Sequence, residues 1–190
     1  MSKITIEALV KRSNDVQNNV RSMVESISKE EATIKPSDSE WSIAQVITHL
    51  NLTFDHYFPK IKKAMEKAQP SQVDSYRRSF LIGLFSEGQK PKKGKRKMKS
   101  KTFKFLIPEQ SNIDQVLHDF EANQEMFCEI IKEGRTHDIS RILVNSAIGP
   151  LLKFTLPECY DFLLSHEERH LQQIRDIIGQ LRAVDELAAS

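Results

Sequence analysis

The chain has 190 residues, 39% of them apolar and 28% charged, with only six glycines. That is near the common size of one domain, with enough Leu, Ile, Val and Phe to fill one core, so wholesale disorder is not expected and a second domain is not required. The net charge of +2 is uneven. Residues 90–104, KPKKGKRKMKSKTFK, hold nine Lys or Arg and no acid, and removing those nine leaves −7 for the remainder.

No run of about 18 apolar residues occurs, and the first residues lack the apolar core of a secretory leader, so neither a transmembrane helix nor export is expected. Cys128 and Cys159 stand too far apart for a disulfide framework or a zinc ribbon and lie in apolar helical patterns. They read as buried free thiols, which suits a reducing cytoplasm.

In chain order, the first helix is predicted over about Ile6 to Ile27, from the stripe Leu9, Val10, Val16, Val20, Val24 and Ile27. Pro36 and its polar neighbours break it. Ser42 and Gln45 form a capping box that opens a second helix, with Ile43, Ile47, Leu50, Phe54, Ile61 and Met65 at helical spacing. Pro59 should bend that helix or end its first half. Trp41, just before the cap, reads as an apolar lid over the helix start.

Residues 71–107 are the irregular part. Ser75–Phe85 is compatible with a short helix. Residues 86–104 read as an exposed basic loop that ends where Phe103, Phe105, Leu106 and Ile107 return to the core. The third helix is predicted from near Ser111 to about Lys132, with Gly134 as its stop. Residues 138–152, interrupted by Gly149-Pro150, suggest a short helix and a turn. Thr155 and Glu158 form a second capping box around Pro157, opening a fourth helix with the stripe Tyr160, Leu163, Leu164, Leu171, Ile174, Ile177, Ile178 and Leu181. The pattern as a whole predicts a single all-α domain, 1–190, folded as a four-helix bundle with a long basic connection between helices 2 and 3.

His166 and His170 are four positions apart on the fourth helix. About 100° per residue puts them on one face, a turn apart, where they can chelate one ion. Two half-exposed helix histidines are the plainer alternative. His49, central in the second helix, is the natural third partner, but an ideal wheel places it roughly 120° from the middle of its apolar stripe. A flank position suits a shallow groove open to solvent better than a sealed core site. Three neutral imidazoles leave at least one position open, where an ion activates water or binds a thiolate.

Two segments carry a family likeness. Trp41-Ser-Ile-Ala-Gln-Val-Ile-Thr-His49-Leu and Ser165-His166-Glu-Glu-Arg-His170-Leu-Gln-Gln-Ile174 resemble the two signatures of the DinB-like (DinB/YfiT-like) superfamily, in the right order. The resemblance implies a four-helix bundle and a divalent metal ion, zinc or nickel, held by His49, His166 and His170. It also implies a metal-dependent hydrolase or a thiol-dependent S-transferase acting on a small molecule or a low-molecular-weight thiol, and pairing of bundles into a homodimer is compatible with it. The alternative is a non-catalytic, metal-stabilised binding or stress-response module.

His56, seven positions after His49, is a candidate base near the ion or a plain surface histidine. Gln173, seven after His166, is a candidate partner of bound water or a solvated helix residue. Arg169 is read as pairing with an acid on a neighbouring helix. His118 and His137 lack partners at ligand spacing and read as surface residues. The basic run lacks interleaved aromatics and any helix-turn-helix or zinc-finger pattern, so no nucleic-acid partner is expected.

Overall fold

The computed structural model describes residues 3–77, 79, 83, 102–147 and 152–188. Among these, four long helices form the bundle: α1 (Ile6–Glu25), α3 (Ile43–Met65), α4 (Ile113–Glu133) and α5 (Leu156–Ala188), with a short α2 (Lys29–Thr33) between the first two. α1 and α3 each pack mainly against both α4 and α5. The order around the bundle is therefore α1, α4, α3, α5, and the first two long helices sit diagonally. One apolar cluster joins all four, built on Leu9, Val16 and Val20 of α1, Ile47, Leu50 and Phe54 of α3, Phe120 and Phe127 of α4, and Tyr160, Leu164 and Ile174 of α5.

The caps follow the sequence closely. Ser42 Oγ accepts from the Gln45 amide at 3.2 Å while Gln45 Oε1 accepts from the Ser42 amide at 3.1 Å, satisfying two orphan donors of α3. α4 starts at Ile113, near the predicted Ser111, and is capped by Asn112, whose Oδ1 accepts from the Asp114 and Gln115 amides. At α5, Glu158 Oε2 accepts from the Thr155 amide at 3.0 Å, but the Thr155 hydroxyl donates to the same oxygen at 2.8 Å. Pro59 neither ends α3 nor halves it. The helix runs to Met65, with Phe58, Ile61 and Ala64 buried around and beyond the proline, so packing outweighs the lost hydrogen bond.

The connections differ more. Short antiparallel ladders join the connections: β1 (Lys3–Thr5) pairs β3 (Ser75–Arg77), β2 (Gln69–Pro70) pairs β4 (His137–Asp138), and β5 (Leu143–Asn145) pairs β6 (Lys153–Thr155). Ser75–Arg77 is thus strand where a short helix was expected. Within 138–152, where a short helix and a turn were expected, Leu143–Asn145 is strand, with Val144 and Phe154 buried side by side across the ladder, and residues 148–151 lie outside the described residues. Two- and three-residue strands are too short to show a period-2 signal.

Most of the expected basic loop, 86–101, lies outside the described residues, as does the rest of the short helix expected to Phe85 apart from residues 79 and 83. Beyond it, Lys104–Leu106 forms a 3-10 turn. Only Leu106 of this stretch returns to the core; Phe103, Phe105 and Ile107 remain 40%, 52% and 50% exposed. Cys128 and Cys159 are buried free thiols, as expected. Among the described residues no helix is long and apolar enough to cross a membrane.

Candidate metal centre

α3 and α5 bring His49, His166 and His170 together. Their candidate ligand nitrogens all lie within 4.8 Å of one another, and no carboxylate or thiol joins the group among the described residues. His49 Nε2 stands 3.1 Å from His166 Nε2. Two nitrogens bound to one tetrahedral ion at about 2.0–2.1 Å stand about 3.3 Å apart, so this approach is close to what a shared cation requires.

The hydrogen bonds behind the rings decide which nitrogens face inward. His49 Nδ1 is 2.7 Å from the Leu106 carbonyl, and a carbonyl only accepts, so Nδ1 carries the proton. Nε2 is left with its lone pair toward the cluster. His170 Nδ1 donates likewise to Gln173 Oε1 at 2.9 Å, again freeing Nε2. Ligating histidines are commonly oriented in this way, by a carbonyl or carboxylate behind the ring.

The surroundings keep the rings neutral. His49 and His170 are buried and His166 is half-buried. Burial pushes the pKa of His166 down to about 3, with His49 and Arg169 adding repulsion. Burial, followed by His166 and His49, holds His170 well below the usual range, and burial likewise lowers His49. Neutral imidazole is the form that ligates a metal.

The groove open to solvent that the wheel suggested for His49 is not found. The flank is covered by the Lys104–Leu106 turn, whose Leu106 carbonyl seals against the ring. Trp41 covers the imidazoles as well as the start of α3: its ring centroid lies 5.0 Å from that of His49 and 6.5 Å from that of His170. Phe162, one turn before His166, stacks on it at 6.2 Å. Of the three rings, only His166 keeps partial exposure.

Gln173 fixes the His170 ring, where a partner of bound water was the role considered for it. His56 is not brought into the group; it faces Lys60 Nζ and stacks on Phe105 at 4.8 Å. His118 is exposed, and His137 is bonded to the Glu133 carbonyl, away from the centre. The sequence marked Trp41 as a lid over the helix start but not its contact with the imidazoles, and it gave no sign of the Leu106 carbonyl's role. A backbone carbonyl from an irregular segment leaves no side-chain signature.

The fold and the cluster together define an all-α bundle with a three-histidine centre that fits a divalent metal ion. The chain belongs to the DinB superfamily, whose family model matches residues 14–174. It is 27% identical over 153 residues to YuaE of Bacillus subtilis (strain 168), a protein described as uncharacterized, covering 80% of this chain and 85% of that one. Its fold matches that of YfiT from Bacillus subtilis with a TM-score of 0.62 over 95% of this chain and 90% of that one, at 13% identity. YfiT is described as a probable metal-dependent hydrolase with an unusual four-helix bundle topology.

Proposed function

We propose that His49, His166 and His170 hold one divalent metal ion and that the protein is a metal-dependent hydrolase acting on a small molecule. The observation that carries this reading is the pair of tautomer locks, Leu106 on His49 and Gln173 on His170, which leave two Nε2 lone pairs facing a third imidazole. His166 can donate one N–H to His49 Nε2 at 3.1 Å, whereas a cation engages all three rings at once. The description of YfiT supports hydrolysis over the other chemistry such a centre permits.

When bound, the ion supplies Lewis acidity and a nucleophile at neutral pH. The chain's own contributions are orientation and exclusion of water. Leu106 and Gln173 hold two rings in register, Trp41 and Phe162 cover the centre with apolar surface, and His166 marks the side from which substrate approaches. Three imidazoles suit zinc or nickel.

The test is metal analysis of protein purified without an affinity tag, alongside the His166→Ala/His170→Ala double variant, followed by assay of ester and amide panels. Near-stoichiometric metal that is lost in the double variant, with metal-dependent cleavage, is the expected result. Unchanged metal content in the double variant overturns the site. Full metal loading with transfer of a thiol, and no cleavage, overturns the hydrolase reading alone.

A further inference from the structure

The three-histidine centre offers a metal ion no negative charge. His49, His166 and His170 are neutral ligands, and no carboxylate or thiol joins them among the described residues. A dication held there keeps its full double charge until an anion reaches it, and a charge in a buried setting is stabilised only when it is paired.

Arg169 adds to that excess. At about 100° per residue along α5 it stands about 60° from His166, on the side away from His170, and Gln173 lies about 20° from His166 on the same side. His166, Arg169 and Gln173 are all half-buried, whereas His170 is buried. The one candidate ligand that keeps partial exposure is therefore flanked on its own helix by a guanidinium. The charge is felt at the rings, since Arg169 opposes protonation of His49, His166 and His170 alike.

The two acids that precede Arg169 are turned to other partners. Glu168 accepts from Arg12 Nε at 2.7 Å, and Glu167 accepts from Gln124 in the core. A guanidinium carries five N–H donors in a fixed fork, so it can hold the two oxygens of a carboxylate beside bonds that it makes within the protein.

We propose that Arg169 is a binding residue for the substrate of the three-histidine centre, and that this substrate carries a carboxylate next to the group that meets the metal. The inference rests on the metal-centre reading above and adds the substrate class. It is carried by the neutral ligand set and by the place of Arg169 beside the ligand ring that keeps exposure.

The experiment uses zinc-loaded full-length protein and a pair of hydroxamates, the monohydroxamate of succinic acid and its neutral amide. They share one metal-binding group and one chain length and differ by a single charge. Calorimetric titrations at low and at physiological ionic strength compare them. At low salt the carboxylate form should bind at least about tenfold more tightly, as a charge-assisted bidentate pair allows. Added salt should reduce that preference. In Arg169→Gln the preference should disappear, while the amide binds as in the unchanged protein. Arg169→Lys keeps the charge but not the fork, so it should retain only part of the preference, and it serves if Arg169→Gln fails to fold. Equal affinity for the two compounds, no binding of either to the zinc-loaded protein, or a preference that these substitutions leave intact overturns the carboxylate subsite while leaving the metal centre standing. Failure of zinc itself to bind overturns the metal centre and the subsite with it.

Discussion

His170 Nδ1 donates to Gln173 Oε1 at 2.9 Å, within a single turn of α5, so one helix supplies both a candidate ligand and the group that aims it. Removing that partner leaves the ring free to rotate and to hold its proton on either nitrogen. Gln173→Ala should weaken metal binding by roughly 10- to 100-fold without altering helix content. Competition against a chromophoric chelator, read beside far-UV circular dichroism, checks this. An affinity equal to that of the unchanged protein would mean that Gln173 does not position the ring.

Protons should compete with both folding and metal. All three histidines have pKa values lowered in the folded state, His166 to about 3, while an unfolded histidine titrates near about 6.5. Below about pH 6.5 the unfolded chain therefore binds more protons than the folded one, and stability falls as pH falls. Urea unfolding of metal-free protein at a series of pH values from neutral to mildly acidic should show this loss, and His166→Ala/His170→Ala should flatten it. Saturating metal should restore stability at neutral pH by about 2.7 kcal/mol at a hundredfold excess over Kd. An identical acid slope in the unchanged and doubly substituted proteins would remove the histidines as its source.

The parts of this molecule that were legible in the sequence are those that depend on local chemistry. Ser42 and Gln45 announced the start of α3 because a capping box needs only side chains three apart. His166 and His170 announced a chelating face because helical spacing is fixed. The covering of His49 was not legible, since it depends on where residues 104–106 land after a long irregular connection. The wheel placed His49 on a flank, but a flank is open only if no other segment closes it. Phe103, Phe105 and Ile107 failed in the opposite sense: apolar character predicted burial, and only Leu106 among them is buried.

A second buried polar set joins three helices. Ser13 of α1 donates to Gln124 Oε1 of α4 at 2.9 Å, and Gln124 Nε2 donates to Glu167 Oε1 of α5. Glu167 is buried, its Oε2 has no hydrogen-bond partner, and burial raises its pKa well above the usual carboxylate range. A folded pKa above the unfolded value of about 4.3 means that the folded state holds the proton more tightly, so stability is lost as pH rises from there. Glu167→Gln keeps the acceptor for Gln124 and carries no charge, so it should raise stability at neutral pH by roughly 1–2 kcal/mol. Glu167→Ala should lower it by roughly 1–3 kcal/mol, because Gln124 loses its acceptor in the core. Urea midpoints of the two variants at neutral pH check the pair. Destabilisation by both would show the ionised carboxylate to be favourable where it stands.

Two glycines predict opposite signs for the same substitution. Gly179 lies inside α5, and a Cβ built there meets nothing within 4 Å. Gly179→Ala should stabilise by about 0.5–1 kcal/mol, through the lower entropy of the unfolded chain and better helix propensity. Gly134 closes α4 with φ −60, an ordinary right-handed conformation, so backbone strain is not the reason for glycine there. Close packing is: a Cβ would stand 2.8 Å from Ile139 Cδ1 and 3.0 Å from Ile6 Cδ1, both in the core. Gly134→Ala should therefore cost about 1–3 kcal/mol, as overpacking does. Thermal unfolding of the two variants side by side tests the close approach of Ile6 and Ile139 to the end of α4, because a neutral Gly134→Ala would place those side chains farther away than the structure does.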